Sequence, residues 1–376
     1  MNWFKEKLNI ESRFQQDFTL KLPRFCKKQT AVLGIDITTT VVKLLELSKQ
    51  GNHYTVESYV VAPLPRDAVI DKHINDIEII GDVIKKAVQS SGTNLKQAAV
   101  AVGGSSVMTK WITLPAGLTD DEIVEEIQFE AEQYIPYGID EVNFDFVVQN
   151  ENESDSNQVN VLLAASRKEN IENRVAALTK ANLKVKIVDV EAFAIENAFV
   201  LLANQLPYSV ENKTILVIEI GANLTGVHVL YNSRVIYTRE QNFGGKQLTE
   251  DIQRAYNLSY EEAGISKKLG GLPDNYESDV LEPFKRNMVQ QIQRAVQFFA
   301  VSNVNRKIDS VIIAGGCASI VDVDKLVSQV LGVPTYIANP FVNMALSSRI
   351  NPIALSKDAP TMLIASGLAL RSFDND

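Results

Sequence analysis

The stretch that decides the fold is "AVLGIDITTTVVKLLEL", residues 31–47. An apolar run ends on a single acid, Asp36, three threonines follow, and an apolar run resumes. The pattern predicts two strands joined by a short polar turn, with a lone carboxylate at the end of the first. Far along the chain, "LVIEIGANLTGVHVLY", residues 216–231, repeats the plan, with Glu219 in the position of Asp36 and 183 residues after it. Two such hairpins in a chain of 376 residues predict a fold made of two similar halves.

The chemistry of these turns is specific. Small residues in a turn let backbone N–H groups converge on phosphate oxygens. The hydroxyls of Thr38, Thr39, Thr40 and Thr225 are further candidate donors. A carboxylate repels phosphate, but it can hold Mg²⁺ through water, and the metal then neutralises the phosphate charge. Taken alone, the hairpins are either two phosphate turns or two unrelated hairpins with polar tips. A third element bears on the choice: "VIIAGGCAS", residues 311–319, ends a buried-looking strand on Gly315 and Gly316. Glycines there permit a base or ribose to approach the backbone closely, although a tight strand-to-helix turn would use them too. The three elements together favour a nucleotide.

Other catalytic signatures are absent from the sequence. No G-x-x-x-x-G-K-[ST] occurs, since "FGGKQLT" lacks the first glycine at the required spacing, and there is no G-x-S-x-G. His53, His73 and His228 are scattered and form neither a metal-ligand spacing nor a triad.

The bulk composition sets the class. At about 150 residues per domain the length predicts two or three units. A 45% hydrophobic and 22% charged chain can bury a large core. No apolar run reaches the roughly 18–20 residues of a membrane span, and the first residues lack the apolar region of a signal peptide. Cys26 and Cys317 lie far apart, as expected of a chain kept in a reducing cytoplasm.

Charge is unevenly spread. Residues 1–30 hold seven Lys/Arg against three Asp/Glu, whereas the window between Trp111 and Ser166 holds 13 acids and no Lys or Arg. That window disfavours nucleic acid as a ligand and would attract a partner with a basic segment, or else it is a solvated acidic surface. The first 18 residues, wound as a helix, gather Trp3, Phe4, Leu8, Ile10, Phe14 and Phe18 on one side, with Lys7 and Glu11 intruding. They read as a docking helix or as a tail. As a membrane anchor they are marginal, at about 1 kcal/mol per basic residue near an anionic surface.

From Ala31 the pattern alternates strands and helices. "HYTVESYVVAPL" is a third strand, "INDIEIIGDVIKKAVQSS" a helix with Ile77, Ile80, Ile84 and Val88 on one face, and "AAVAVGG" a buried strand. "TDDEIVEEIQFEAEQYI" opens with a capping box, Thr119 and Glu122. "VNFDFVVQ" and "VNVLLAAS" read as a hairpin, "ENIENRVAALTKANL" as a helix, and "KVKIVDVEAFAIENAFVLLAN" as a strand running into a helix. A further unit begins at Thr214, with helices through "LTEDIQRAY" and "EPFKRNMVQQIQRAVQFFAVS", and the chain closes with the helix "PTMLIASGLALRS".

Taken together, "LGIDITTTVVKLLELS", "EAEQYIPY", "VDVEAFAIENA", "YTREQNFGGKQLTEDIQ", "GGLPDNYESDVLEPF", "AGGCASI", "ANPFVNMALSSRIN" and "SGLALRSFD" resemble the PilM family of actin-like type IV pilus assembly proteins. That family is similar to the cell-division protein FtsA, within the actin, sugar-kinase and heat-shock-70 superfamily. The resemblance runs from about residue 31 to 374 and implies an α/β, actin-like (ribonuclease H-like) fold, two-lobed, with ATP or ADP and Mg²⁺ between the lobes and an FtsA-type inserted subdomain. It divides the chain into a tail at 1–29, a first lobe at 30–100, 185–210 and 351–376, an insert at 101–184, and a second lobe at 211–350.

Carried over by position, the resemblance makes Asp36 and Glu219 the metal-holding acids. Ile37, Thr38 and Thr39 would cup phosphate, while period-2 alternation leaves open whether Lys43 faces the site. Gly221, Ala222, Asn223 and Thr225 would form the second phosphate loop. Lys267, Gly315 and Gly316 would border ribose and adenine, and Asp189 and Glu191 would position the attacking water. The implied partner is the N-terminal cytoplasmic peptide of the inner-membrane protein PilN, an apolar peptide with a basic residue that the acid-only window would suit. Other inner-membrane pilus proteins and the pilus motor ATPases are implied as well. The implied location is the cytoplasmic face of the bacterial inner membrane, reached through partners.

Two departures from the family pattern point to binding with weak or no hydrolysis. Glu219 is one methylene longer than the usual Asp, and magnesium geometry is strict. Gly264 stands where a glutamate would accept ribose hydroxyls, a hydrogen bond worth about 1 kcal/mol. Two other functions share the superfamily: a sugar-kinase-like phosphotransferase, and an FtsA-like membrane-tethered filament.

Overall fold

The computed structural model describes residues 31–104, 107–129, 135, 137–149, 157–302 and 306–374. The amphipathic reading of the first 29 residues lies outside them, as do most of "EAEQYI" and the loop at 150–156. The chain forms two compact units. The first runs up to Ser48, over Ser58–Glu191 and from Leu368 onward; the second takes Lys49–Glu57 and Ala192–Gly367.

The decisive stretch folds as its pattern predicts. Leu33–Ile37 (β1) and Val41–Gln50 (β2) pair antiparallel, and His53–Pro63 (β3) continues the meander. Every residue of β1 is buried, as befits a strand with neighbours on both sides. Val69–Ile70 (β4) and His73–Ile74 (β5) make a small hairpin of their own. Gln97–Val102 (β6) runs parallel to β1. The helix Ile77–Ser91 that leads to β6 starts where Asp76 accepts the Ile79 N–H at 2.9 Å and stops at left-handed Gly92. It buries Ile80, Ile84 and Val88, three of the four positions its periodicity marks, and Ile77 is half-buried.

The acid-rich window sits on a sheet of its own. Val107–Pro115 (β7) and Val142–Gln149 (β8) flank Gln158–Arg167 (β9), all antiparallel. Alternation puts Ile112, Leu114, Val161 and Leu163 on one face, where Ile123 and Ile127 of the helix Asp120–Phe129 cover them. The predicted capping box is present: Thr119 N–H donates to Glu122 at 2.8 Å, and the Glu122 N–H donates to Thr119 Oγ1 at 3.3 Å. The helix Lys168–Lys180 then leads into Lys184–Val190 (β10), parallel to β6.

Two last residues close this unit. The Val32 N–H donates to Ser372 Oγ at 2.9 Å, and that hydroxyl lies 3.2 Å from the Val32 carbonyl. Arg371 beside it reaches Asp189 on β10.

The second unit repeats the plan. Thr214–Ile220 (β11), Thr225–Tyr231 (β12) and Arg234–Gln241 (β13) form an antiparallel meander. Ser310–Ala314 (β14) and Thr335–Ile337 (β15) extend it in parallel. The order β13-β12-β11-β14-β15 matches β3-β2-β1-β6-β10 strand for strand. The short strand Ala345–Leu346 (β16) pairs with Thr55 and Val56.

The core of the second unit lies between its sheet and the helices Gly245–Tyr256 and Glu282–Ser302, around Phe243, Phe284, Met288 and Phe299. Among the described residues no single helix is long and apolar enough to cross a membrane. The apolar helix Leu363–Leu370 is instead packed away: a Cβ on Gly367 would fall 1.8 Å from the Ala194 carbonyl oxygen.

Candidate functional site

In each unit the parallel strands bring their C-terminal ends to one edge, which is where ligands bind in open α/β sheets. In the first unit that edge carries Asp36 at the end of β1, Gly103 after β6 and Glu191 after β10. Asp36 and Lys43 are register partners across β1 and β2, so their side chains share a face. Lys43 Nζ donates to Asp36 Oδ2 at 2.9 Å, and both residues are buried. The register thus answers what alternation leaves open for Lys43: its ammonium neutralises the lone carboxylate.

The first turn is held from within. Thr38 N–H donates to the Val41 carbonyl at 2.9 Å, and Thr38 Oγ1 donates to the same oxygen at 2.8 Å. That hydroxyl also accepts the Val41 N–H at 3.1 Å. Thr38 therefore shapes the turn, and Ile37 is buried beneath it. Thr39 keeps an N–H with no acceptor among the described residues, together with a half-exposed side chain.

Asp189 and Glu191 differ sharply. Asp189 is sealed: Oδ1 accepts the Val190 N–H at 2.8 Å and Oδ2 accepts Arg371 Nε at 2.7 Å. Burial pushes its carboxyl above the usual carboxylate range, and Arg371 pulls against that. Glu191 opens the helix Glu191–Ala203, lies against Gly103 and forms an ion pair with Lys72. A Cβ on Gly103 would fall 2.2 Å from Glu191 Cδ, so a side chain there would have to displace the Glu191 carboxylate.

Arg174 is a residue the sequence reading missed. It is buried on the helix Lys168–Lys180 and donates to three carbonyls: Ala101 at 2.8 Å, Asn170 at 3.0 Å and Lys72 at 2.8 Å. Burial lowers its pKa, and the charges of Glu191 and Asp36 oppose that loss.

The second unit gathers its glycines tightly. The turn after β11 closes by the Gly221 N–H donating to the Leu224 carbonyl at 3.0 Å. Its carbonyls then accept from the start of the next helix, Gly221 from Gly245 N–H at 2.9 Å and Ala222 from Lys246 N–H at 2.8 Å. Gly244 makes this possible, since a Cβ there would sit 2.3 Å from the Ala222 oxygen. Thr225 Oγ1 donates to the Phe243 carbonyl at 2.8 Å, so its hydroxyl, like that of Thr38, closes the turn. The N–H groups of Ala222 and Asn223 meet no acceptor among the described residues. Two successive backbone donors of this kind can serve an anion.

Gly315 and Gly316 adjoin this turn. Gly315 has φ +84°, and a Cβ on it would lie 2.4 Å from the Ile220 carbonyl oxygen; a Cβ on Gly316 would meet nothing within 4 Å. Lys267 joins the cluster by donating to the Gly245 carbonyl at 2.9 Å and to Thr249 Oγ1 at 2.6 Å. Burial lowers its pKa. Gly264 leaves room toward Thr249, whose Cγ2 would be 4.0 Å from an added Cβ. The sequence reading missed Gly244, Gly245 and Thr249. The glycine pair directly before an amphipathic helix was the available signal.

For magnesium the fit is partial. Among the described residues no group of three His, Cys, Asp or Glu side chains is placed to hold a metal. Asp36 has one oxygen committed to Lys43, and Glu219 is half-buried at the matching place in the second unit. Magnesium usually takes one or two carboxylates, several waters and phosphate oxygens, so single acids of this kind suit contact through water.

Comparisons with known proteins bear on the chain as a whole. The family model described as type IV pilus assembly protein PilM matches residues 34–373. Among solved structures, a PilM-PilN type IV pilus biogenesis complex aligns over 93% of this chain and 100% of that chain, at 26% identity and a TM-score of 0.78. The ethanolamine utilization protein EutJ from Carboxydothermus hydrogenoformans aligns over 93% of this chain and 91% of its own, at 16% identity and a TM-score of 0.51, a likeness of fold alone. The fold is actin-like.

Proposed function

Because the chain belongs to the family of type IV pilus assembly proteins called PilM, we propose that it is a nucleotide-binding scaffold of the pilus machine that grips the N-terminal cytoplasmic peptide of PilN. It works at the cytoplasmic face of the inner membrane, held there by its partners, and links the membrane ring to cytosolic motor components. The observation that carries this reading is the alignment of 93% of this chain with the PilM-PilN complex. The acidic window supports it: Asp120, Asp121 and Glu125 are exposed on the helix Asp120–Phe129, where a basic side chain of the peptide would be attracted. Residues 101–184 act as the inserted subdomain that carries this surface.

ATP or ADP is the proposed nucleotide. The N–H groups of Ala222 and Asn223 would bind phosphate oxygens, with Gly221 and Thr225 fixing the turn behind them. Gly315 and Gly316 keep the neighbouring surface flat for ribose or base, and Lys267 holds the Gly244–Gly245 corner in place. In the first unit Thr39 offers a donor from the turn over Ile37 and Thr38. Asp36, balanced by Lys43, is the first unit's candidate for holding the waters of a magnesium ion, and Glu219 is the second unit's candidate. Bound magnesium supplies neutralisation of phosphate charge. With Asp189 consumed by Arg371, hydrolysis is slow and the nucleotide acts chiefly as a structural ligand.

The test is calorimetry on the full chain with a synthetic PilN N-terminal peptide. Saturable binding that weakens with salt and with Asp120→Lys/Asp121→Lys is expected. A peptide that produces no heat and no shift in thermal midpoint would remove the PilN reading. Mass spectrometry of the purified chain then identifies any co-purifying nucleotide.

A further inference from the structure

The second unit carries a face that neither the nucleotide reading nor the peptide reading uses. Between Glu282 and Asp309 the sequence holds five Lys/Arg and no Asp or Glu. The helix Glu282–Ser302 fills most of that window and turns Met288, Ile292, Ala295 and Phe299 into the core. On a 3.6-residue period Arg294, Phe298 and Val301 fall together on the opposite side. All three are exposed, Phe298 by 47% and Val301 by 79%. A helix face that met only water would carry polar residues there.

Arginines surround this apolar pair. Among the described residues β13 is the edge strand of its sheet. Its register sets Tyr237 opposite Val229 and Arg239 opposite Val227, on the face that the helix covers. Tyr237 packs edge-on against Phe299, with ring centroids 5.5 Å apart, and the Arg239 guanidinium lies 3.6 Å from the Phe298 ring centroid. Glu240, one residue on, alternates to the other face. Past the end of the helix the Arg306 guanidinium lies 3.6 Å from the Tyr231 centroid, with exposed Lys307 next in the chain. Among the described residues none of Arg239, Arg294, Arg306 and Lys307 has an acid at ion-pair distance.

We infer that this face is a direct contact site for the anionic headgroups of a lipid bilayer, independent of the nucleotide and of PilN. Headgroup phosphates accept charge-assisted hydrogen bonds from the guanidinium groups. Phe298 and Val301 reach the boundary where headgroups meet acyl chains, and the arginine stems cover the apolar surface between them. Neither part suffices alone: two apolar side chains are too few to anchor a chain of this size, and four charges alone are screened by salt. Together they make a reversible, salt-sensitive contact. A bilayer presents phosphate everywhere, so it matches unpaired charge of one sign, whereas a protein partner would need an acid placed opposite each cation.

The experiment is flotation of the full chain with vesicles of phosphatidylglycerol and phosphatidylethanolamine, against vesicles of phosphatidylcholine. Binding to the anionic vesicles alone is expected, weakening about tenfold or more as salt is raised from roughly 0.05 to 0.3 M. Arg294→Glu/Arg306→Glu is expected to lower partitioning about tenfold or more, and Phe298→Ser/Val301→Ser about fivefold. All four side chains are exposed, so thermal midpoints should stay within about 2 °C of the parent. Lys5→Glu/Lys7→Glu, in the basic first segment, should retain most of the binding. A parent chain that stays off anionic vesicles overturns the inference. So does binding that survives both variants of the helix face, or that is abolished by Lys5→Glu/Lys7→Glu. Face variants that dissociate a dimer in analytical ultracentrifugation while leaving vesicle binding intact would assign the face to a second copy of the chain instead.

Discussion

Arg371 and Asp189, 182 residues apart in sequence, meet at 2.7 Å with both side chains shut away from solvent. Burial works against the Arg371 charge, but Asp189 and Asp374 outweigh it and hold its pKa above the ordinary guanidinium value. Removing one partner of a buried pair strands the other. Arg371→Met is therefore expected to lower stability by about 3–5 kcal/mol in urea unfolding, and Arg371→Met/Asp189→Asn to recover part of it. A loss under 1 kcal/mol would show that the pair is dispensable.

The pair of Asp36 and Lys43 gives a second expectation. Asp36→Ala leaves a buried ammonium behind and is expected to cost about 3–5 kcal/mol, whereas Asp36→Ala/Lys43→Met costs less. If Asp36 also holds magnesium waters, the double variant loses the magnesium-dependent part of ATP affinity while folding well. Calorimetry with magnesium and with EDTA separates the two effects. Equal affinities in parent and double variant would remove Asp36 from the site.

Neighbouring glycines are expected to respond in opposite ways. Gly315→Ala must place a Cβ 2.4 Å from the Ile220 carbonyl at a positive φ. A stability loss of about 2 kcal/mol or more is expected, with loss of nucleotide binding. Gly316→Ala has open space and should leave the thermal midpoint almost unchanged, so any weakening of nucleotide binding there reports on the ligand itself. Matched behaviour of the two variants would contradict this packing.

Cys317 makes stability depend on alkaline pH. Burial pushes its thiol up to about 11 from 9.0, with Lys267 opposing. The folded chain thus binds the proton more tightly than the unfolded chain. Its contribution is complete below pH 9 and is lost as pH rises toward 11, about 2–3 kcal/mol in all. Lys267 runs the other way, because its lowered pKa makes the unfolded chain the tighter binder as pH rises toward 10.5. Urea unfolding of the parent against Cys317→Ala from pH 8 to 11.5 isolates the thiol. Parallel curves would refute the assignment.

The hairpins at Asp36 and Glu219 were legible because their signal is local: an acid ending an apolar run, small residues, then strand periodicity. The shared strand order is the physical reason that the repeat could be seen at all. What escaped the sequence reading depends on contacts remote in the chain. Nothing near Arg174 marks it as buried, since its partners Ala101 and Lys72 come from other elements. The β4 and β5 strands are two residues each, too short to carry a period, and Asp-Lys is not a turn pair that announces itself. The pair Gly244–Gly245 fails the phosphate-loop spacing in the sequence, and only the fold shows that Gly244 lets two backbones touch. The hydroxyls of Thr38 and Thr225 looked like free donors, and only the folded turns show that they are already spent.

The clasp of Val32 and Ser372 spans 340 residues. During translation the strand that begins the first sheet must therefore wait, with that contact unmade, until almost the whole described chain has left the ribosome. The second unit likewise waits for Gly367. The two units thus become complete within a few residues of each other, and the first gains no head start from its earlier place in the chain.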